Sequence, residues 1–297
     1  MTADLNYSLK RLVGGLISDN HQVKQGFFLA TVMIINRFKI IPMNFLGIFH
    51  FFIIRFKSFI DFEKFINYVK EETKCNSGMK NPEIHCMQMA RMLCVSAIIE
   101  SGWVSTASGN QTMLERLINI LANIYVQHEF LREAIQITLT KIFNQPGRSV
   151  KIFDYTVETF KLNTLHSVKD QSSSDWSMYF SMRSSYQTNF QGKSEKHNDF
   201  MNEDIFQNQK TMRTMQTLVK QQTYLYPRLH SASTHLISQL LLDQKNFEKN
   251  FQAFNQSILV EGIFNEAIYD TMKSHAKLKY LHIGLKMAET ILKGCLK

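Results

Sequence analysis

The side chains best suited to metal or nucleophile chemistry in this chain crowd into one stretch, where Cys75, His85, Cys86 and Cys94 follow one another. Thiolates and imidazoles bind zinc, yet structural zinc sites usually set their ligands in tight pairs on turns. No C-x-x-C pair occurs, and Cys86 and Cys94 fall within a helical pattern close to its apolar face. These three thiols, and Cys295 far downstream, are therefore expected to act as small buried hydrophobes. His230 and His235 stand five apart, a spacing that splays them around a helix, and His275 and His282 lack a nearby acid of the kind a general base uses. The acidic pairs Glu71-Glu72 and Glu203-Asp204 are consecutive, so on a helix their carboxylates diverge instead of sharing a metal, and two-metal phosphoryl transfer finds no support. The chain also contains no G-x-x-x-x-G-K-[ST] phosphate loop, no G-x-G-x-x-G, no G-x-S-x-G elbow and no H-E-x-x-H zinc helix. The expectation is a protein with no catalytic residue, no cofactor, no metal and no small-molecule substrate.

The elements that carry these residues read as helices. Only 4 Pro and 12 Gly interrupt 297 residues, and the abundance of Leu, Ile, Met, Lys and Gln favours long helices over strands broken by turns. Leu5, Leu9, Leu12, Val13 and Leu16 fall at helical spacing, and Ser18-Asp19-Asn20 then supplies a turn and an N-cap. A second helix from about His21 to Arg37 carries Val23, Phe27, Ala30, Ile34 and Phe38 along one side. Phe62, Phe65, Ile66 and Val69 mark a third, broken at Asn76-Ser77-Gly78. Past Pro82, the stripe Ile84, Met87, Arg91, Cys94, Val95, Ile98 and Ile99 runs to Glu100, where Ser101-Gly102 provides a C-terminal cap. Met113 to Ile124 and Leu131 to Ile142 form a further pair, stopped by Pro146-Gly147.

Helix, short turn and helix recurring about every 40 residues is the period of armadillo or HEAT-like solenoids, so the expected fold is an all-α helical-repeat solenoid. Its organisation would be N-terminal repeats over 1–165, a polar loop or partly disordered insert over 166–222, and four further repeat helices over 223–297. Trp176, Tyr179, Phe180, Tyr186 and Phe190 in that insert could stack on RNA bases, although tethering it to the helical body is the favoured role. The apolar stretch Ile40 to Ile60 holds Pro42, Asn44 and His50, and its longest uncharged run, Ile40 to Ile54, is shorter than the ~20 residues needed to span a bilayer, so no membrane contact is expected. With 34 Lys+Arg against 25 Asp+Glu, the formal charge of +9 would attract polyanions, but no basic block concentrates it.

Particular strings go further than periodicity. Tyr7 to Ser18, with Arg11, Leu12 and Gly15, is followed by Val23 to Thr31, with Gly26 and Phe27. Met92 to Gly102 ends in Ser101-Gly102, Phe130 precedes Leu131-Arg132-Glu133, and Pro227-Arg228-Leu229-His230 opens a helix running to Leu240-Leu-Leu-Asp243. Val260 to Phe264 and Lys279-Tyr-Leu281 follow. In this order the strings resemble the N-terminal portion of the Myb-binding protein / DNA polymerase V (polymerase phi) family. The resemblance leaves Ile40 to Ser58 without a counterpart, an atypical apolar insert whose composition suggests a translated AT-rich intron.

The resemblance implies a nucleolar scaffold supporting ribosomal-DNA transcription and ribosome assembly. Its partners would be nuclear and nucleolar proteins, with ribosomal DNA or pre-ribosomal RNA as a further class. Two alternatives are a DNA polymerase, as the family name has it, and an importin-like transport adaptor.

Overall fold

The computed structural model describes residues 3–38, 60–104, 111–145, 148–162 and 172–190. Among these residues the secondary structure is helical apart from a single bridge residue, Ile60. The chain divides into two compact units, Met1–Arg148 and Ser149–Lys297.

The first unit holds α1 (Ala3–Leu16), α2 (His21–Phe38), α3 (Phe62–Glu72), α4 (Asn81–Glu100), α5 (Gln111–Gln127) and α6 (Arg132–Phe143), the last preceded by a 3₁₀ turn, Glu129–Leu131. Leu5, Leu9, Leu12, Val13 and Leu16 form the buried side of α1. The predicted cap of α2 is present: Asn20 Oδ1 accepts from the Gln22 and Val23 amides at 2.9 and 3.3 Å. Asp61 caps α3 in the same way, accepting from Lys64 N at 2.8 Å.

Alternate helices meet. Helix α2 packs on α4 and α4 on α6, α1 packs on α3, and α1 with α2 and α5 with α6 form antiparallel neighbours. Helix α4 touches all five others, and it buries Gln88, Ala90, Met92, Cys94, Val95, Ala97, Ile98 and Ile99. Such residues do not fit one stripe. The predicted stripe was too narrow because a helix enclosed on most sides loses its amphipathic signature.

Helix α2 also departs from expectation. Its fully buried positions are Thr31 and Ile35, with Lys24 nearly so, while Val23 is exposed and Phe27, Ala30 and Ile34 are only half-buried. Apolar residues lie around much of α2, so spacing alone did not select the face that α1 and α4 cover. Helices α1 and α2 approach closely at Gly15: a Cβ placed there would overlap the Phe27 ring. Gly26, on the same helix as Phe27, is exposed with open space around it.

In the second unit, α7 (Val150–Thr159) and α8 (Ser173–Asn189) are described. Helix α7 went unread in the sequence, although Ser149 is its N-cap and Ile152, Phe153, Thr156 and Val157 give a helical face. Within the segment expected to be a polar loop or disordered insert, α8 is a helix with a capping box: Ser172 Oγ accepts from Asp175 N at 3.3 Å and Asp175 Oδ2 accepts from Ser172 N at 3.0 Å. The Ser-x-x-Asp spacing that signals it was present in the sequence, masked by surrounding serines. The predicted helices beyond residue 190 lie outside the described residues, as does the apolar stretch from 40 to 59.

Two glycines in one hairpin give opposite expectations. Gly15→Ala drives a methyl into Phe27 and should lower stability by about 1–3 kcal/mol, whereas Gly26→Ala should raise it by about 0.5–1 kcal/mol by removing backbone entropy from the unfolded chain. Urea midpoints of the two variants check this; shifts of the same sign would show that α1 and α2 do not approach at Gly15.

Candidate functional site

Helix α3 ends at buried Thr73, whose hydroxyl donates to Val69 O at 2.6 Å. From α4, Arg91 Nε donates to Thr73 Oγ1 at 2.9 Å and Arg91 Nη2 donates to Thr73 O at 2.8 Å. A guanidinium thus closes the negative end of α3, with charge and fork geometry both suited to the last carbonyl. Burial lowers the pKa of Arg91, and nearby Cys75 and Cys94 act in the opposite direction.

Beside this clamp, α3, α4 and α5 enclose a cleft of about 540 Å³. Lys70 lines it from α3, Gln88 and Arg91 from α4, and Arg116, Asn119, Ile120, Asn123, Ile124 and Gln127 from α5. Three cations and four carboxamides face one volume, and no carboxylate is among the lining residues. Arg116 is anchored by Asn67 Oδ1 at 2.9 Å and by an ion pair with Glu63. Past Gln127, Phe130 lies between two histidines, with ring centroids 4.3 Å from His85 and 6.0 Å from His128. Burial first, then the charges of His85 and Arg91, pull the His128 pKa down.

The cysteine and histidine cluster of the sequence is dispersed. Cys75 Sγ accepts from Gln88 Nε2 at 3.3 Å, Cys86 Sγ lies 3.9 Å from Lys24 Nζ, and Cys94 is buried. Glu71 is exposed, while Glu72 faces Lys10 at 3.9 Å. Among the described residues no three His, Cys, Asp or Glu side chains converge as a metal site. His230, His235, His275, His282, Cys295 and Glu203-Asp204 lie outside the described residues.

The motif residues of the N-terminal strings occupy packing and turn positions. Leu12 is buried, Arg11 is exposed, and Gly15 meets Phe27. Ser101 caps α4, its hydroxyl donating to Ile98 O at 2.7 Å, and Gly102 turns the chain at φ 68°, the left-handed region that suits glycine. This turn delivers Trp103 to α3, 5.6 Å from Phe62 and 6.4 Å from Phe65. Leu131 is fully buried; Arg132 Nε donates to Tyr125 O at 3.1 Å and its guanidinium lies 5.0 Å from the Tyr125 ring centre; Glu133 is exposed. Pro227, Arg228, Leu229 and His230 are outside the described residues. Among the described motif residues, Gly15, Ser101, Gly102 and Arg132 thus join one helix to the next.

A family model described as DNA polymerase phi matches residues 7–278. The chain belongs to the DNA polymerase phi family. No curated protein and no solved structure matches it. The polymerase phi match starts within α1 and extends beyond α8, so every helix described above falls within the family's span or begins just before it. The name attaches the family to DNA. No helix among the described residues is long and apolar enough to cross a membrane.

The burial of the polymerase phi aromatics at 176–190 fits the favoured tethering role and not RNA stacking. Trp176, Tyr179, Phe180, Tyr186 and Phe190 are all buried, and Phe153 of α7 packs 5.5 Å from Tyr186 and 5.1 Å from Phe190. The Thr73–Arg91 clamp and its cleft were missed in the sequence. The available signal was Arg91 itself, a cation within an otherwise apolar stripe.

Arg91→Leu removes both bonds to Thr73 and should lower stability by about 2–3 kcal/mol, read from urea unfolding; a loss under about 0.5 kcal/mol would show that the clamp does not hold α3 to α4. Thiol accessibility offers a separate check. Burial pushes Cys94 up to about 12, so its thiol stays protonated through neutral and mildly alkaline pH. Iodoacetamide near pH 8 should modify half-buried Cys75 and Cys86 in the native chain and reach Cys94 only after denaturation; equal native rates at all three would contradict the packing of α4.

Proposed function

We propose that this chain is a nuclear, nucleolar scaffold of the DNA polymerase phi family in which α1/α2, α3/α4 and α5/α6 are successive units of an armadillo/HEAT-like solenoid. The observation that carries the reading is the pairing of alternate helices, α2 with α4 and α4 with α6. That is how stacked hairpins bury one another's apolar faces. On this reading the surface binds nuclear and nucleolar proteins, with ribosomal DNA or pre-ribosomal RNA as further partners, and supports ribosomal-RNA synthesis without performing chemistry.

A second reading, template-directed DNA synthesis, is suggested by the family's name. Polymerase chemistry of the two-metal kind calls for carboxylates that share ions about 4 Å apart, whereas Glu71 and Glu72 are consecutive and Glu72 faces Lys10. An importin-like adaptor for basic cargo fits poorly with a cleft lined by Lys70, Arg91 and Arg116.

Two measurements test the scaffold reading. A fluorescently tagged chain should concentrate in nucleoli, and its affinity for ribosomal DNA or pre-ribosomal RNA should fall steeply between about 50 and 200 mM salt. Exclusion from the nucleus would contradict the proposal. Primer extension by the purified chain, abolished by changing one carboxylate pair, would replace it with the polymerase.

A further inference from the structure

Along α5, Asn119, Asn123 and Gln127 recur every four residues on the wall of the cleft. Four residues advance a helix by about 6 Å, and two residues of an extended chain advance by about 6.6 Å. A peptide strand laid along α5 therefore presents a backbone amide at nearly the same interval as the helix presents a carboxamide. The Asn123 and Gln127 carboxamides each offer both a donor and an acceptor, which is what a peptide group needs on one edge.

Charge selects the side chains of such a strand. Lys70 and Arg91 face the ladder from α3 and α4, while Arg116, at its start, is already paired with Glu63. Arg91 is held in place by Thr73 through Nε and Nη2, so its guanidinium is already oriented and loses little freedom on binding a carboxylate. The alternation of an extended chain sends every second side chain to one face. The complementary ligand carries acids at alternate positions.

The geometry points to this cleft as a docking site for an extended, acidic peptide segment of a partner protein, its backbone on the α5 carboxamides and its carboxylates on Lys70 and Arg91. The inference rests on reading the chain as a protein-binding scaffold and names the chemistry of one partner. Single-stranded nucleic acid shares the negative charge, but sequence-tolerant binding of bases uses aromatic platforms, and no aromatic side chain lines the cleft.

The test uses the full chain and fluorescence anisotropy at low salt, with a labelled peptide of alternating glutamate and threonine about eight residues long, its glutamine analogue, and an oligouridylate of similar length. The glutamate peptide should bind at least about tenfold more tightly than the glutamine analogue. Lys70→Glu and Asn123→Asp should each weaken it about fivefold or more. Lys64→Glu, an equal change of charge on α3 outside the cleft, should have little effect. Unchanged melting temperatures establish that the variants fold. No binding of the glutamate peptide, an equal loss in Lys64→Glu, or no loss in either cleft variant would overturn the assignment. Tighter binding of the oligouridylate, lost in the same two variants, would give the cleft to nucleic acid instead. Nucleolar concentration is measured separately, so failure here leaves the scaffold reading standing.

Discussion

The first unit depends on the enclosure of α4. Helices α1, α2, α3, α5 and α6 all pack against it, so its side chains must be apolar or internally satisfied around most of the circumference. Burying each of Ile98, Ile99 and Val95 removes enough apolar surface to contribute about 1.5–3 kcal/mol. The polar groups that enter this environment are paired: Ser96 Oγ lies 3.0 Å from Thr138 Oγ1 on α6, and Arg91 binds Thr73 at the end of α3. An unpaired group in the same place would cost more than its partner contributes.

Enclosing α4 also sets where the surface can recognise anything. Arg91 belongs to the packing of α3 on α4 and to the wall of the cleft at once. Its cationic head is therefore presented by a rigid element, and α5 supplies the carboxamides opposite. At the other end of α4, the left-handed turn at Gly102 returns the chain so that Trp103 seals α3. A different device closes the α5–α6 turn, where Arg132 grips the Tyr125 carbonyl and ring. Among the described residues of the family strings, Gly15, Ser101, Gly102 and Arg132 stand where one helix meets the next.

The helices of the first unit were legible because their punctuation is explicit: Asn20 and Ser101-Gly102 start and stop them through identifiable hydrogen bonds. Which face each helix buries was less legible. For α2 and α4 the apolar residues spread round the helix, and neighbours distant in sequence decide what is covered. Helix α8 was concealed by composition. Its Ser177, Ser181 and Ser185 are buried beside Trp176, Tyr179 and Tyr186, a mixture that resembles a polar linker when read by residue type. Beyond the lone cation Arg91 in its apolar stripe the cleft left no trace in the sequence, since Lys70, Arg91 and Asn123 come from three helices and converge only through the packing of α4.

Native-state hydrogen exchange resolved by peptide measures that packing most directly. If α4 is the helix on which the others rest, amides from Cys94 to Ile99 will exchange only through global unfolding, with α1 and α5 opening at lower free energy. Faster exchange in Cys94 to Ile99 than in α1 or α5 would contradict a fold built around α4.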